Sequence, residues 1–94
     1  LVFDDGAYGN VKRIQQQRFG DARTIASTLR NPDFVAYARA FGALGFHASG
    51  PDELRTALDE AFTANAPAIV HVSTTAMPDP WPFFLRGPAR PTGV

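Results

Sequence analysis

Ala68-Ile69-Val70-His71-Val72-Ser73 is rich in β-branched side chains and almost continuously apolar. A strand with one wet face alternates apolar and polar residues, whereas a strand covered on both faces does not. The run therefore predicts a central parallel strand, and such a strand needs neighbours reached by crossover connections. The preceding sequence supplies them. Ser49-Gly50-Pro51-Asp52-Glu53 reads as a helix start, with Pro where its missing N–H costs nothing and carboxylates near the positive end of the dipole. Leu54, Ala57, Leu58, Ala61 and Phe62 form the predicted buried face of that helix. Phe46-His47-Ala48 reads as a short strand before it. Asn31-Pro32-Asp33 opens an earlier helix, with Asn31 as the expected N-cap. Phe34, Tyr37, Ala38 and Phe41 then recur at i, i+3, i+4 and i+7, a stripe expected to face a core, and Gly42 ends it.

Leu1-Val2-Phe3 is a short apolar run that stops at Asp4-Asp5-Gly6, as a buried strand ending in a turn would. From Asn10 to Gly20 the spacing of Val11, Ile14 and Arg18 is compatible with a polar helix whose Gln15-Gln16-Gln17 run forms a solvated or interfacial face. Residues 20–31 lack periodicity and read as an irregular connection, with Ile25 and Leu29 as its apolar contacts. The order strand, helix, helix, strand, helix, strand predicts an α/β fold with a layered parallel sheet. Pro78, Pro80, Pro82, Pro88 and Pro91 exclude regular helix and central strand from the tail. Two parts follow: a domain over residues 1–76 and an extended Pro-rich tail over 77–94, whose Trp81, Phe83 and Phe84 need cover.

Composition narrows the function. Nine basic residues balance nine acidic ones, so there is no electrostatic footprint for nucleic acid or an anionic membrane. No apolar run approaches the roughly 20 residues needed to span a bilayer, and the start lacks the charged and apolar regions of a signal peptide. The absence of Cys excludes disulfide scaffolds and thiol chemistry and agrees with a cytoplasmic location. A gene product begins with Met, whereas this chain of 94 residues begins with Leu1 inside a strand pattern. The expectation is upstream sequence, or a partner chain, that completes the sheet.

Ligands of open α/β sheets bind outside the carboxyl ends of the strands, and Asp4-Asp5-Gly6-Ala7-Tyr8-Gly9 lies at such an end. Two carboxylates in a glycine-containing turn suit a hard divalent cation; they equally suit an Asx-type turn closing a surface loop. His47 and His71 sit on strands and read as hydrogen-bonded structural residues, not bases. The Ser27-Thr28 and Ser73-Thr74-Thr75 hydroxyls have no His and acid partners in sequence, so no catalytic residue is assigned. Scattered Arg13, Arg18 and Arg23 read as a solvated face.

The segment Phe3-Asp4-Asp5-Gly6-Ala7-Tyr8-Gly9-Asn10-Val11-Lys12-Arg13-Ile14-Gln15 resembles the second half of the cofactor motif of thiamin-diphosphate-dependent enzymes, the group of acetolactate synthase, benzoylformate decarboxylase and pyruvate decarboxylase. Asn31-Pro32-Asp33-Phe34, Ala40-Phe41-Gly42, Pro51-Asp52-Glu53-Leu54 and Pro67-Ala68-Ile69-Val70 continue the resemblance over roughly residues 1–75. It implies the carboxyl-terminal part of a domain that binds thiamin diphosphate through Mg²⁺. Asp5 stands where the family supplies a side-chain oxygen to the metal, Ala7 where it supplies a backbone carbonyl, and Gly6 lets the turn form. Tyr8, Gly9 and Val11 stand where the family's loop and helix start pass the cofactor and substrate pocket, although packing under the sheet is an equal reading of Tyr8 and Val11. Asp4 departs from the usual Asn and is expected to point away or to pair with Lys12 or Arg13; it is not assigned as a ligand.

The Gly-Asp-Gly half of the motif is absent from the chain. The resemblance thus implies an enzyme acting on 2-keto acids, a homodimer or homotetramer, whose remaining site residues come from an upstream part or a partner subunit. These residues alone are expected to be inactive. The alternative is a non-catalytic α/β interaction module docking a partner through its sheet edge and the aromatic tail.

Overall fold

The computed structural model describes residues 1–76 and 78–85. Three parallel strands, β1 (Val2–Asp4), β2 (Leu44–Ala48) and β3 (Ala68–Ser73), form a sheet in the order β1-β3-β2. The apolar run is therefore the central strand, and the parallel α/β architecture stands as expected. Between the strands lie helices α1 (Gly9–Phe19), α2 (Phe34–Ala40) and α3 (Pro51–Ala64), with a 3₁₀ turn at Asp21–Arg23.

Alternation along β3 divides the sheet into two faces. Val70 and Val72 point to one face and are buried with Ala57 of α3, against which Phe46, Leu54 and Leu58 pack. On the other face His71 meets α2, where the Phe34 ring stands edge-on to it at 5.1 Å. Ala38 and Ala48 are fully buried small residues, and small side chains let helix and sheet approach closely.

Several local expectations are corrected. Asn31 does not cap α2; Asp33 does, its Oδ1 accepting from the N–H groups of Val35 (2.9 Å) and Ala36 (3.0 Å). Tyr37, Phe41 and Phe62, expected in the core, are at least half exposed. Helical spacing identifies a face but not what covers it, and Phe41 falls past the last turn of α2, at its C-cap. Ile25 is exposed, while Gln15 is tied to its backbone, donating to the Ile25 carbonyl (3.0 Å) and accepting from its N–H (3.2 Å). Gln15 thus fastens α1 to the irregular segment.

The tail is not wholly extended. Trp81–Leu85 forms a short helix, α4, whose start is held by Asp79 Oδ1 accepting from the Trp81 N–H at 3.0 Å. Pro82 fits because the first turn of a helix needs no N–H partner. Trp81, Phe83 and Phe84 are exposed and stack edge-on among themselves. Met77 and residues 86–94, with Pro88 and Pro91, lie outside the described residues. Among the described residues no helix is long and apolar enough to cross a membrane.

Candidate functional site

The carboxyl end of β1 runs directly into a tight turn. Asp4 Oδ1 accepts from the Gly6 N–H at 2.8 Å, and Asp5 Oδ1 accepts from the Ala7 N–H at 3.1 Å, so the two carboxylates make successive Asx contacts. Gly6 sits at φ +68°, a left-handed conformation that favours glycine. Leu29 N–H then bonds to the Gly6 carbonyl, and Tyr8 N–H to the Ser27 carbonyl, each at 2.8 Å. These bonds flank Ala7, which faces Thr28 as the non-hydrogen-bonded pair of an antiparallel bridge. The Ala7 carbonyl consequently points away from the Thr28 segment. Among the described residues no donor bonds to it, nor to Asp5 Oδ2.

Asp5, Ala7 and Gly9 share a cleft of about 200 Å³ with Lys12, Arg13 and Gln16 of α1. Gly9, Lys12, Arg13 and Gln16 fall at i, i+3, i+4 and i+7, one helical face. The spacing of this face is legible in the sequence, yet the cofactor motif does not point to its last three members. A Cβ at Gly9 would overlap Asp5 Oδ2, so the carboxylate keeps this orientation beside the helix start only with glycine there. The cleft therefore joins the Asp5 carboxylate and Ala7 to Lys12 and to Arg13, the latter also paired with Asp79, at the start of a helix whose dipole adds positive potential. Hard oxygen donors beside cationic groups suit a divalent cation shared with a phosphate-bearing ligand. Among the described residues no three His, Asp or Glu side chains come together to hold a metal unaided.

The remaining candidates separate. Tyr8 and Val11 are exposed at the start of α1 and do not line this cleft, which corrects the reading that they pack under the sheet. Asp4 does point away from the cleft, but it pairs with neither Lys12 nor Arg13. Its Oδ1 also accepts from Asn31 Nδ2 (2.7 Å) and its Oδ2 from His71 Nε2 (3.0 Å). The Gly6 N–H holds the Asp4 carboxyl below the ordinary aspartate value, against partial desolvation, and Asn31 and His71 add to the lowering. His47 Nε2 lies 2.8 Å from Ser73 Oγ, so both histidines are hydrogen-bonded. Arg13 is not a solvated residue: its side chain is 17% exposed and contacts Asn10 Oδ1 and Asp79 Oδ1, the latter at 3.4 Å.

Residues 1–72 match the family described as thiamine pyrophosphate enzyme, C-terminal TPP binding domain. The chain is 32% identical over 87 residues to the acetolactate synthase isozyme 2 large subunit of Escherichia coli, covering 93% of this chain and 16% of that protein. It is 35% identical over 72 residues to an acetolactate synthase of Bacillus subtilis, covering 77% of this chain and 12% of the relative. A 2-hydroxyacyl-CoA lyase of Arabidopsis thaliana is 34% identical over 76 residues, 77% of this chain and 13% of its own length. The chain thus spans about one sixth or less of the curated relatives it matches. With its parallel sheet and the matched turn at the carboxyl end of β1, this chain belongs to the thiamine pyrophosphate enzymes, as part of their C-terminal cofactor-binding domain.

Proposed function

We propose that the cleft behind the Asp4-Asp5-Gly6 turn is the cation half of a thiamin diphosphate site, in an acetolactate-synthase-like enzyme acting on 2-keto acids. The observation that carries this reading is the meeting of Asp5, Ala7, Lys12 and Arg13 in one cleft at the start of α1. Asp5 Oδ2 and the Ala7 carbonyl would hold Mg²⁺, a cation that keeps few protein ligands and shares the rest with phosphate and water. Lys12, and Arg13 where it is not taken up by Asp79, would bring positive charge to a bound diphosphate, and Gly6 and Gly9 would let the backbone come close. Tyr8 and Val11, exposed at the start of α1 and outside the cleft, would offer aromatic and apolar surface to the rest of the cofactor or to substrate. When bound, thiamin diphosphate supplies the electron sink for decarboxylating a 2-keto acid or joining it to a second carbonyl compound.

The reading gives no residue of this chain a proton-transfer role in that chemistry, and one carboxylate with one carbonyl does not complete a metal site. The reading therefore includes a need for further residues, from an upstream part or a partner subunit of a homodimer or homotetramer, and a cytoplasmic setting. In the full chain, Asp5→Ala should abolish Mg²⁺-dependent binding of thiamin diphosphate measured by titration calorimetry. Unchanged binding would remove Asp5 from the ligand set. Decarboxylation of a 2-keto acid by the 94-residue chain alone would overturn the claim that the site is shared.

A further inference from the structure

Asp4 and Asp5 are neighbours, but their surroundings differ. Asp4 accepts from the Gly6 N–H within the turn, and from two groups outside it, Asn31 Nδ2 and His71 Nε2. The outer donors come from the segment before α2 and from the central strand. The His71 ring cannot turn freely: Phe34 stands edge-on to it at 5.1 Å, and His47, its register partner on β2, does so at 5.2 Å. Because an ionised carboxylate only accepts, the 3.0 Å contact places the proton of His71 on Nε2. The sheet thus grips Asp4 from one side and Asn31 grips it from the other. What Asp4 then fixes is the first bend of the turn, through Gly6, and the next residues in that bend are Asp5 and Ala7.

We propose that His71 and Asn31 are positioning residues of the cation site: by clamping Asp4 they set the direction in which the Asp5 carboxylate and the Ala7 carbonyl present their oxygens. This rests on the reading of Asp5 and Ala7 as ligands. The clamp does a second thing. It keeps the extra negative charge of Asp4 turned toward β3, outside the cleft that Asp5, Ala7 and Gly9 line. A released Asp4 could swing beside the diphosphate, where like charges repel. Partners that orient metal ligands typically change metal affinity by about 10-fold to 100-fold when removed.

The test is made in the full chain at saturating thiamin diphosphate, reading the Mg²⁺ concentration for half-saturation and, separately, the melting temperature without Mg²⁺. His71→Leu should raise the half-saturation concentration about 10-fold or more, and His71→Gln, which keeps a donor, should recover most of the loss. Asn31→Ala should shift it in the same direction; Asn31 is exposed, so this variant folds even where His71→Leu does not. Asp5→Ala serves as the reference. If Asp5→Ala shifts the half-saturation point while Asn31→Ala and whichever His71 variants fold stay within about twofold of wild type, the clamp is structural only and the proposal falls. A lowered melting temperature with unchanged Mg²⁺ dependence overturns it in the same way. If Asp5→Ala itself has no effect, the ligand reading fails, and the clamp has nothing to position.

Discussion

Gly9→Ala separates the placement of Asp5 from the stability of the domain. Gly9 is the first residue of α1 and has no positive φ, so alanine is compatible with its backbone. Replacing glycine with alanine inside a helix stabilises by up to about 1 kcal/mol, and by less in the first turn. The added Cβ would overlap Asp5 Oδ2 and lie 3.5 Å from Asp5 Cγ. The carboxylate is the far end of a short side chain, so it gives way by rotating, and its 3.1 Å bond from the Ala7 N–H is lost. That bond contributes about 1 kcal/mol net. The two terms oppose each other, and the unfolding free energy from urea denaturation without Mg²⁺ should change by less than about 1 kcal/mol. Cation binding has no such compensation. A turned ligand should weaken Mg²⁺-dependent cofactor binding about 10-fold to 100-fold, read by calorimetric titration. Unchanged binding would refute the claim that Gly9 sets the position of Asp5. A stability loss of several kcal/mol would refute the claim that Asp5 yields to the methyl group.

Two further outcomes concern the scaffold. The Ala36 N–H, and after it the Val35 N–H, hold Asp33 below the ordinary value of 3.8 despite partial desolvation. A depressed folded-state value means that this cap stabilises fully above the unfolded value and is lost as pH falls through the folded one. Asp33→Asn caps without titrating, so stability measured at pH 7 and near pH 3 should fall less in the variant than in wild type; equal losses would count against the cap. Val72→Ala removes two methyl groups from a side chain only 6% exposed in the sheet core. Transfer and cavity together predict a loss of about 2 kcal/mol in chemical denaturation, and a loss below about 0.5 kcal/mol would contradict that burial.

The sheet was legible because its cause is local. A continuous β-branched run can be satisfied only by cover on two faces, and the strand and helix order then leaves few topologies. The turn was legible for the same reason, since Asp-Asp-Gly states its own bend. What escaped depended on distant contacts. Asn31 and Asp33 are both able to cap, and nothing nearby shows that Asn31 is engaged by Asp4, 27 residues away. His71 could be placed on a strand, but its partner lies 67 positions distant. The exposure of Phe62 could not be read because a helical stripe carries no information on the surface opposite it. The short helix at Trp81–Leu85 escaped because a proline count ignores position: Pro82 is harmless in a first turn that Asp79 caps.

The pair Asp4-Asp5 shows how one residue type comes into two different surroundings at adjacent positions. Strand geometry sends Asp4 to the same face as His71, because Val2 is the register partner of His71 and Asp4 lies two residues further along β1. There it meets three donors and gains a fixed, compensated charge. Asp5 is the first residue past the strand, so the pleat no longer dictates its direction; the turn does. It emerges beside Lys12 and Arg13 with one oxygen bound by the Ala7 N–H and the other without a donor among the described residues. A carboxylate whose hydrogen bonds are all internal to the fold makes a brace, and one left half-satisfied keeps an oxygen free, which the proposed function uses as a cation ligand. The assignment of roles therefore follows from where the strand ends. Ending the strand one residue earlier would put Asp4 in the first position of the turn and Phe3 on the sheet face beside His71.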